Sequence, residues 1–165
     1  MLIKRISIVC LIVILCGCAT TRLYTVTKVV DGDTLILNGK KKVRLIGVDA
    51  PESRINNKFQ RDIKNSGCTA DQVLSAGEES KYFLSKFVNG EKIYIKLDGH
   101  KKDRYGRFLV YAFLKDNERS INETIIFEGY GVAYTKYNFK YKERFLKAEE
   151  NAKALKKGIW KAGCL

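Results

Sequence analysis

The chain has 165 residues, enough for one domain with a hydrophobic core and too few for two ordinary domains. Its content of 45% hydrophobic and 11% aromatic residues excludes an intrinsically disordered protein. Lysine and arginine number 31 against 18 acidic residues, and the resulting net charge of +13 favours a polyanionic partner, either nucleic acid or an acidic membrane surface.

The N-terminus has the pattern of an export signal. A positively charged start is followed by the apolar run 6–15, which is too short for a stable membrane-spanning helix. Gly17 directly before Cys18, at the end of this run, resembles the cleavage site of bacterial lipoproteins, which implies a lipid on Cys18 and an exported protein held at the cell envelope. An ordinary cleaved signal and an uncleaved anchor are the alternatives. The predicted organisation is a signal peptide, 1–17, a lipidated N-terminus with a short linker, 18–22, and one domain, 23–165.

The five cysteines divide between the signal and the domain. Cys10 and Cys16 leave with the signal, and Cys18 carries the lipid. Cys68 and Cys164 then remain in an oxidising compartment, which favours a disulfide between them. Two free thiols are the alternative.

Three strands are predicted at the start of the domain. Their β-branched and apolar residues lie in Leu23–Val30, Thr34–Leu37 and Val43–Val48. Asp31-Gly32-Asp33 is the predicted turn between the first two strands. Asn38-Gly39 predicts a tight hairpin between the second and third, because both residues tolerate a positive φ.

A loop, a helix and two strands are predicted next. The polar segment Glu52–Leu74 has no clear period and is predicted to be a long ordered loop. Capping-box spacing at Ser75–Glu78 predicts the start of a helix that ends at Asn89-Gly90. Strands are predicted over Glu91–Leu97 and Arg107–Leu114, joined by a loop.

Two more helices complete the chain. A second capping box begins at Ser120, and its helix ends at Gly129; Asn138 is the predicted cap of a longer helix ending at Gly158. The order βββ-α-ββ-α-α predicts an α+β fold, a five-stranded oligonucleotide-binding (OB) barrel with three helices. Another small α+β sheet is the alternative. The apolar stripe of the last helix is Tyr141, Phe145, Ala148, Ala152 and Leu155.

The available side chains limit the chemistry of the domain. A single histidine, His100, makes a histidine-rich zinc site or a histidine-based triad hard to build, and glycine-rich nucleotide-binding motifs are missing. Carboxylates, arginines and tyrosines are abundant. Carboxylates bind hard cations, and arginines bind phosphate.

Acidic residues at strand ends form the first candidate site. The hairpin should bring Asp33, at the start of one strand, close to Asp49, at the end of the next. Two neighbouring carboxylates need a cation, and oxygen ligands favour Ca²⁺ or Mg²⁺. Glu52 follows as a third ligand or as a general base. The alternatives are that Asp31-Gly32-Asp33 is an ordinary turn and that Asp49 and Glu52 are solvated residues after a strand.

Two arginines are further candidates for the site. Arg44 interrupts an otherwise apolar strand, where burial is costly unless an anion meets it. Arg107 follows Gly106 in a turn and can bind phosphate through two nitrogens. The alternative for Arg44 is a position on the solvated face of its strand, and the alternative for Arg107 is an ordinary basic loop.

Three motifs together resemble the staphylococcal (micrococcal) nuclease family, also called thermonucleases. They are Asp31-Gly32-Asp33-Thr34, then Arg44-Leu45-Ile46-Gly47-Val48-Asp49-Ala50-Pro51-Glu52, then Asp103-Arg104-Tyr105-Gly106-Arg107. The resemblance runs from about Val26 to Trp160. It implies the barrel with three helices, and calcium-dependent cleavage of the P–O5′ bond of DNA and RNA that leaves 3′-phosphate ends.

The resemblance also implies roles for single residues. Asp33 and Asp49 ligate Ca²⁺ together with the backbone carbonyl of Ala50, and Asp31 lies near the metal. Glu52 positions or deprotonates the attacking water. The residues implied to contact substrate are Arg44 and Arg107 at the scissile phosphate, with Arg104, Tyr105 and Tyr134 around the nucleotide.

The sequence departs from the family's type enzyme at Arg104, which replaces a lysine and preserves the charge, and at three further places. Ala50 replaces a threonine, and only the carbonyl is needed there. The segment from Tyr134 to Tyr137 does not align cleanly with the second pocket tyrosine. The loop that holds Cys68 is longer and is expected to dock against the tail at Cys164. A non-catalytic nucleic-acid-binding OB-fold lipoprotein and an envelope structural lipoprotein are the rival functions, and a monomer is the default expectation.

Overall fold

Five strands close into a barrel in the computed structural model, which describes residues 22–163. The barrel order is first, second, third, sixth and fifth strand, and the third and sixth are parallel, whereas the other neighbours are antiparallel. A separate two-stranded sheet joins the fourth and seventh strands. The strands are β1 (Leu23–Asp31), β2 (Thr34–Leu37), β3 (Lys41–Leu45), β4 (Val48–Asp49), β5 (Lys92–Lys102), β6 (Phe108–Leu114) and β7 (Val132–Ala133).

Four α-helices accompany the barrel within residues 22–163, so the predicted OB-type α+β class is confirmed, whereas the predicted number of three helices is wrong. Alternate residues of each strand point inward, where aliphatic side chains exclude water from the barrel interior. The helices are α1 (Asn57–Ser66), α2 (Ala70–Val88), α3 (Ile121–Phe127) and α4 (Lys142–Ala154), followed by a short 3₁₀ helix (Gly158–Ala162). Fully buried members of the core are Val26, Leu35, Leu37, Val43, Ile93, Val110, Ile125 and Phe145.

The hairpin between β2 and β3 is confirmed. Asn38 and Gly39 have φ values of 49° and 74°, as the predicted turn requires. The side chain of Asn38 also accepts a hydrogen bond from the backbone N–H of Thr25 at 2.8 Å. The register pairs Thr34 with Arg44, so the start of β2 lies against the end of β3.

The predicted third strand, 43–48, is wrong in its bounds. The strand β3 already begins at Lys41 and ends at Leu45, and the chain turns at Gly47 before β4. Gly47 has a φ of 72°, and a Cβ there would lie 2.6 Å from the ring of Phe139. The positive φ turns the chain at Gly47, the Phe139 ring leaves no room for a side chain there, and Asp49 then pairs with Val132 of β7.

The predicted loop 52–74 contains the helix α1. The side chain of Asn56 accepts hydrogen bonds from the backbone N–H groups of Lys58 and Phe59, which caps the helix, and Gly67 ends it with a φ of 71°. Phe59 is buried against Cys68 and Val73. Because few apolar residues mark this helix, its period was not visible in the sequence.

The next helix also begins earlier than predicted. Thr69 and Gln72 form a reciprocal capping box, so α2 starts at Ala70 rather than at Ser75. Gly77, assigned to the predicted cap, lies inside the helix. The strand β5 is longer than predicted and continues through Lys102, leaving only the turn before Arg107.

The C-terminal helices agree in part with the prediction. The hydroxyl of Ser120 accepts a hydrogen bond from the backbone N–H of Glu123 and caps α3 as expected. The predicted cap at Asn138 is wrong, because α4 begins at Lys142. Leu155 is 66% exposed and does not belong to the buried stripe.

Several predictions concern residues outside the described range 22–163. They are the signal 1–17, the lipid on Cys18 and the disulfide partner Cys164. Cys68 is buried and takes part in a disulfide, but its pairing with Cys164 stays a prediction. No helix within 22–163 is long and apolar enough to cross a membrane.

Candidate active site

A buried aspartate forms the centre of the candidate site. Asp33, at the start of β2, has only 4% of its surface exposed. One of its oxygens accepts a hydrogen bond from the Thr34 hydroxyl at 2.7 Å, and the other accepts one from Arg44 Nη1. The charge of this carboxylate is therefore compensated inside the protein.

Arg44 connects the two aspartates that the sequence predicted to converge. Its Nη2 donates to the backbone oxygen of Val48 at 3.2 Å and lies 3.4 Å from Asp49 Oδ1. Burial acts to lower the pKa of Arg44, but Asp33 and Asp49 more than offset this effect and raise it. The arginine in the apolar strand is thus neutralised by carboxylates, as its predicted burial required.

Lys58 is a residue of the site that sequence analysis missed. Its Nζ donates to the Ala50 carbonyl at 2.8 Å and lies 3.6 Å from Asp49 Oδ1 and 3.8 Å from Glu52 Oε1. The same ammonium pairs with Asp62, one turn further along α1, at 2.8 Å. Lys58 stands in a segment predicted as a loop, so no helical spacing pointed it toward the carboxylates.

Glu52 is partly buried at the edge of this network. Its Oε2 accepts a hydrogen bond from the Asn56 side chain at 2.7 Å. Desolvation raises the pKa of Glu52, although Asn56 and Lys58 act against it. Desolvation also raises the pKa of Asp49 despite its neighbours Lys58 and Arg44. A carboxylate whose pKa lies above its ordinary value is a stronger base for proton transfer.

Two glycines bring helix α2 against the segment that carries Glu52. A Cβ on Gly77 would lie 2.2 Å from the backbone oxygen of Glu52, and one on Gly32 would lie 2.6 Å from the Ala50 Cβ. Larger residues at either position would push these elements apart. Asp31, across the turn, accepts a hydrogen bond from the Ser53 hydroxyl at 3.0 Å and fixes the same segment.

Arg107 joins the network from the other side. Its Nε donates to Asp103 at 2.7 Å, and its Nη1 donates to the Thr34 hydroxyl at 3.3 Å. Burial would raise the pKa of Asp103, but hydrogen bonds from Arg107 and from the backbone of Tyr105 hold it below its ordinary value. Thr34 therefore links Arg107 to Asp33, and through it to Arg44.

The predicted nucleotide-contacting residues lie in two places. Tyr105 is 68% exposed, and the guanidinium carbons of Arg104 and Arg107 lie 4.9 and 5.5 Å from the centroid of its ring. Tyr134 is held by a backbone hydrogen bond to Gly47 at 3.0 Å, and its ring lies 5.9 Å from that of Tyr137. The first tyrosine stands beside the arginines, and the second beside the turn that precedes β4.

The fit of this site to a metal ion depends on its oxygen atoms. Within residues 22–163, no three acidic, histidine or cysteine side chains converge closely enough to hold a metal. Oxygens of Asp49, Ala50, Glu52 and Asp62 nevertheless lie 2.8–3.8 Å from one cationic atom, Lys58 Nζ. Oxygen donors around a cation fit a hard divalent ion such as Ca²⁺.

The chemistry of this arrangement is that of a phosphate-binding site with a base. Arg44 contacts Asp33 and Arg107 contacts the adjacent Thr34, and guanidinium groups such as these suit phosphate oxygens. Glu52 supplies a partly buried carboxylate 3.8 Å from Lys58 Nζ, which also lies 3.6 Å from Asp49, a partner of Arg44. The site can therefore hold a phosphodiester and deliver an activated water to it.

Comparisons with known proteins agree with this chemistry. Residues 42–162 match the family model described as "Staphylococcal nuclease homologue". The chain is 35% identical to a thermonuclease of Staphylococcus hyicus over 146 residues, covering 86% of this chain and 78% of that protein. It is also 35% identical to endonuclease YncB of Bacillus subtilis over 142 residues, 82% of this chain and 60% of that protein. A thermonuclease of Staphylococcus intermedius is 31% identical over 143 residues, 83% of this chain and 75% of that protein.

Proposed function

Because this chain belongs to the staphylococcal nuclease family, we propose that it is a calcium-dependent endonuclease that cleaves the P–O5′ bond of DNA and RNA and leaves 3′-phosphate ends. Family membership makes it a hydrolytic nuclease with a nucleic-acid substrate. The observation that carries the finer proposal is the continuous network from Arg107 through Thr34, Asp33 and Arg44 to Asp49.

Each side chain of the network has a separate task in this proposal. Arg44 and Arg107 bind the scissile phosphate and stabilise the negative charge that grows on its oxygens. Glu52 accepts the proton of the attacking water, and its raised pKa makes that transfer more favourable. Arg104 and Tyr105 contact the nucleotide beside the cleaved bond, and Tyr134 contacts it from the turn before β4.

Calcium completes the proposed site. Asp33, Asp49 and the Ala50 carbonyl would hold it, with Asp31 close by. When bound there, the ion would supply positive charge near the phosphate and lower the pKa of a bound water. The positive charge of the chain as a whole favours capture of a polyanionic substrate without selecting its sequence.

Cleavage of single-stranded DNA by the purified full-length chain tests this function. We expect cleavage with added Ca²⁺ and its loss with EGTA, and products that a polymerase extends only after phosphatase treatment. Arg61→Ala, at an exposed arginine of α1, is the control and should cleave normally. Binding of DNA without cleavage at any calcium concentration would instead support the non-catalytic binding protein.

The lipid anchor is a separate proposal about the cellular location. Gly17-Cys18 at the end of the apolar run supports a lipid on Cys18 and retention at the bacterial cell envelope. Metabolic labelling with palmitate should mark the wild-type chain and the Cys16→Ser control, and fail to mark Cys18→Ser. Labelling of the Cys18→Ser variant would contradict this anchor.

A further inference from the structure

Lys58 contacts two of the three residues that are proposed to hold calcium, Asp49 and Ala50. Its ammonium contacts the Ala50 carbonyl at 2.8 Å, with Asp49 and Glu52 at 3.6 and 3.8 Å. Asp49 and the Ala50 carbonyl belong to the proposed calcium ligands, and Glu52 is the proposed base. An internal cation thus already compensates the charges that attract calcium.

The local structure directs this side chain into the site. The Asn56 side chain caps α1 by accepting a hydrogen bond from the backbone N–H of Lys58. The next residue of the helix, Phe59, is buried. The Lys58 side chain is 20% exposed, so most of it is held between the helix and the carboxylate segment. Its position follows from the packing of α1 and is not that of a mobile surface lysine.

A second partner gives the ammonium a place to move. Asp62 lies one helical turn away and already pairs with Lys58 at 2.8 Å. A small rotation of the side chain could leave Ala50 and Asp49 while keeping this pair. The lysine can therefore vacate the site without losing all compensation of its charge.

From these contacts we propose that Lys58 is a built-in cation that calcium must displace, and that this residue sets the calcium affinity of the nuclease. The inference rests on the proposed calcium dependence. An ammonium and a divalent ion cannot share the Ala50 carbonyl and the Asp49 carboxylate, because like charges at such distances repel strongly. Lys58 is thus a positioning residue: it holds the ligands in place before the metal binds and weakens the binding of the metal.

Calorimetric titration of the full-length chain with CaCl₂, without DNA, tests this inference. Lys58→Met keeps much of the length of the side chain and removes its charge, and we expect its calcium Kd to fall by at least about tenfold, or about 1.4 kcal/mol. The melting temperature of this variant without calcium should fall, because three carboxylates lose their cation. Added calcium should then raise its melting temperature more than that of the wild type.

Lys64→Met is the matched control, because Lys64 is an exposed lysine in the last turn of the same helix. It removes the same charge from α1 and should leave the calcium Kd unchanged. An equal gain of affinity in Lys64→Met would show a general charge effect and overturn the inference.

The outcomes separate this inference from the proposed function. Calcium binding to wild type and to Lys58→Met with equal Kd overturns the role of Lys58 and leaves calcium dependence intact. Binding to Lys58→Met alone supports the inference and contradicts calcium dependence of the wild type. Binding to neither protein overturns the inference about Lys58, while DNA cleavage with Ca²⁺ and with EGTA decides the proposed function.

Discussion

Replacing Glu52 with glutamine is expected to lower kcat by about 10²–10⁴-fold, the usual contribution of a general base. Glutamine has nearly the same shape and can still accept the hydrogen bond that the Asn56 side chain donates at 2.7 Å. It cannot accept a proton from water at neutral pH. The change therefore removes the base and retains the local packing, and cleavage rates at saturating substrate measure its effect.

Two measurements decide whether the loss is chemical. The KM for single-stranded DNA should change much less than kcat, because Arg44 and Arg107 still bind the phosphate. Glu78→Gln is the control, since Glu78 is an exposed glutamate on α2 beside the glycine that packs against Glu52. A Glu52→Gln variant with a nearly normal kcat would exclude Glu52 as the residue that activates water.

Replacing Arg44 with methionine is expected to abolish most cleavage and also to lower the free energy of unfolding by about 3–5 kcal/mol, as is typical when one partner of a buried ion pair is removed. Asp33 is 4% exposed and would retain the Thr34 hydroxyl without its charged partner. Asp49 and the Val48 carbonyl would lose a donor as well. Urea unfolding measures the stability, and DNA cleavage measures the activity.

A second substitution separates the two effects. Combining Arg44→Met with Asp33→Asn removes both charges and should restore much of the stability while leaving cleavage lost. If the Arg44→Met variant had the same free energy of unfolding as the wild type, the ion pair between Arg44 and Asp33 would not stabilise the fold.

Arg107→Ala is a useful comparison. Its partner Asp103 keeps hydrogen bonds from the backbone N–H groups of Tyr105 and Arg107, so activity should fall with a smaller loss of stability.

The parts of the fold that the sequence predicted well have local causes. Asn38-Gly39 defines its hairpin through backbone conformations that few other residues adopt. Ser120 caps α3 with its own hydroxyl. The period of apolar residues in β1, β2 and β6 places their strands within a residue or so of the observed bounds. Such signals act over a few residues and need no knowledge of distant partners.

The errors arose where distant packing decided the structure. Gly47 turns the chain after the third strand with a positive φ, and the ring of Phe139, far along the chain, leaves no room for a side chain at this turn. Helix α1 has little apolar surface and depends on Phe59 packing against Cys68 and Val73. Gly77 resembled part of a cap, whereas its role is to let the Glu52 segment approach α2.

The sequence by itself determined the barrel class, the family resemblance and the pairing of the start of β2 with the end of β3, because a tight hairpin brings the ends of its strands together. Asp49 lies beyond this hairpin, in β4, and is linked to Asp33 through their shared partner Arg44. From short motifs, the sequence also identified Glu52, Arg44 and Arg107 as candidate residues of the site. Only the tertiary structure decided how their charges are paired. Lys58 reaches Ala50, Asp49 and Glu52 because α1 packs beside them, and electrostatic interactions depend on distances in space that spacing along the chain does not provide.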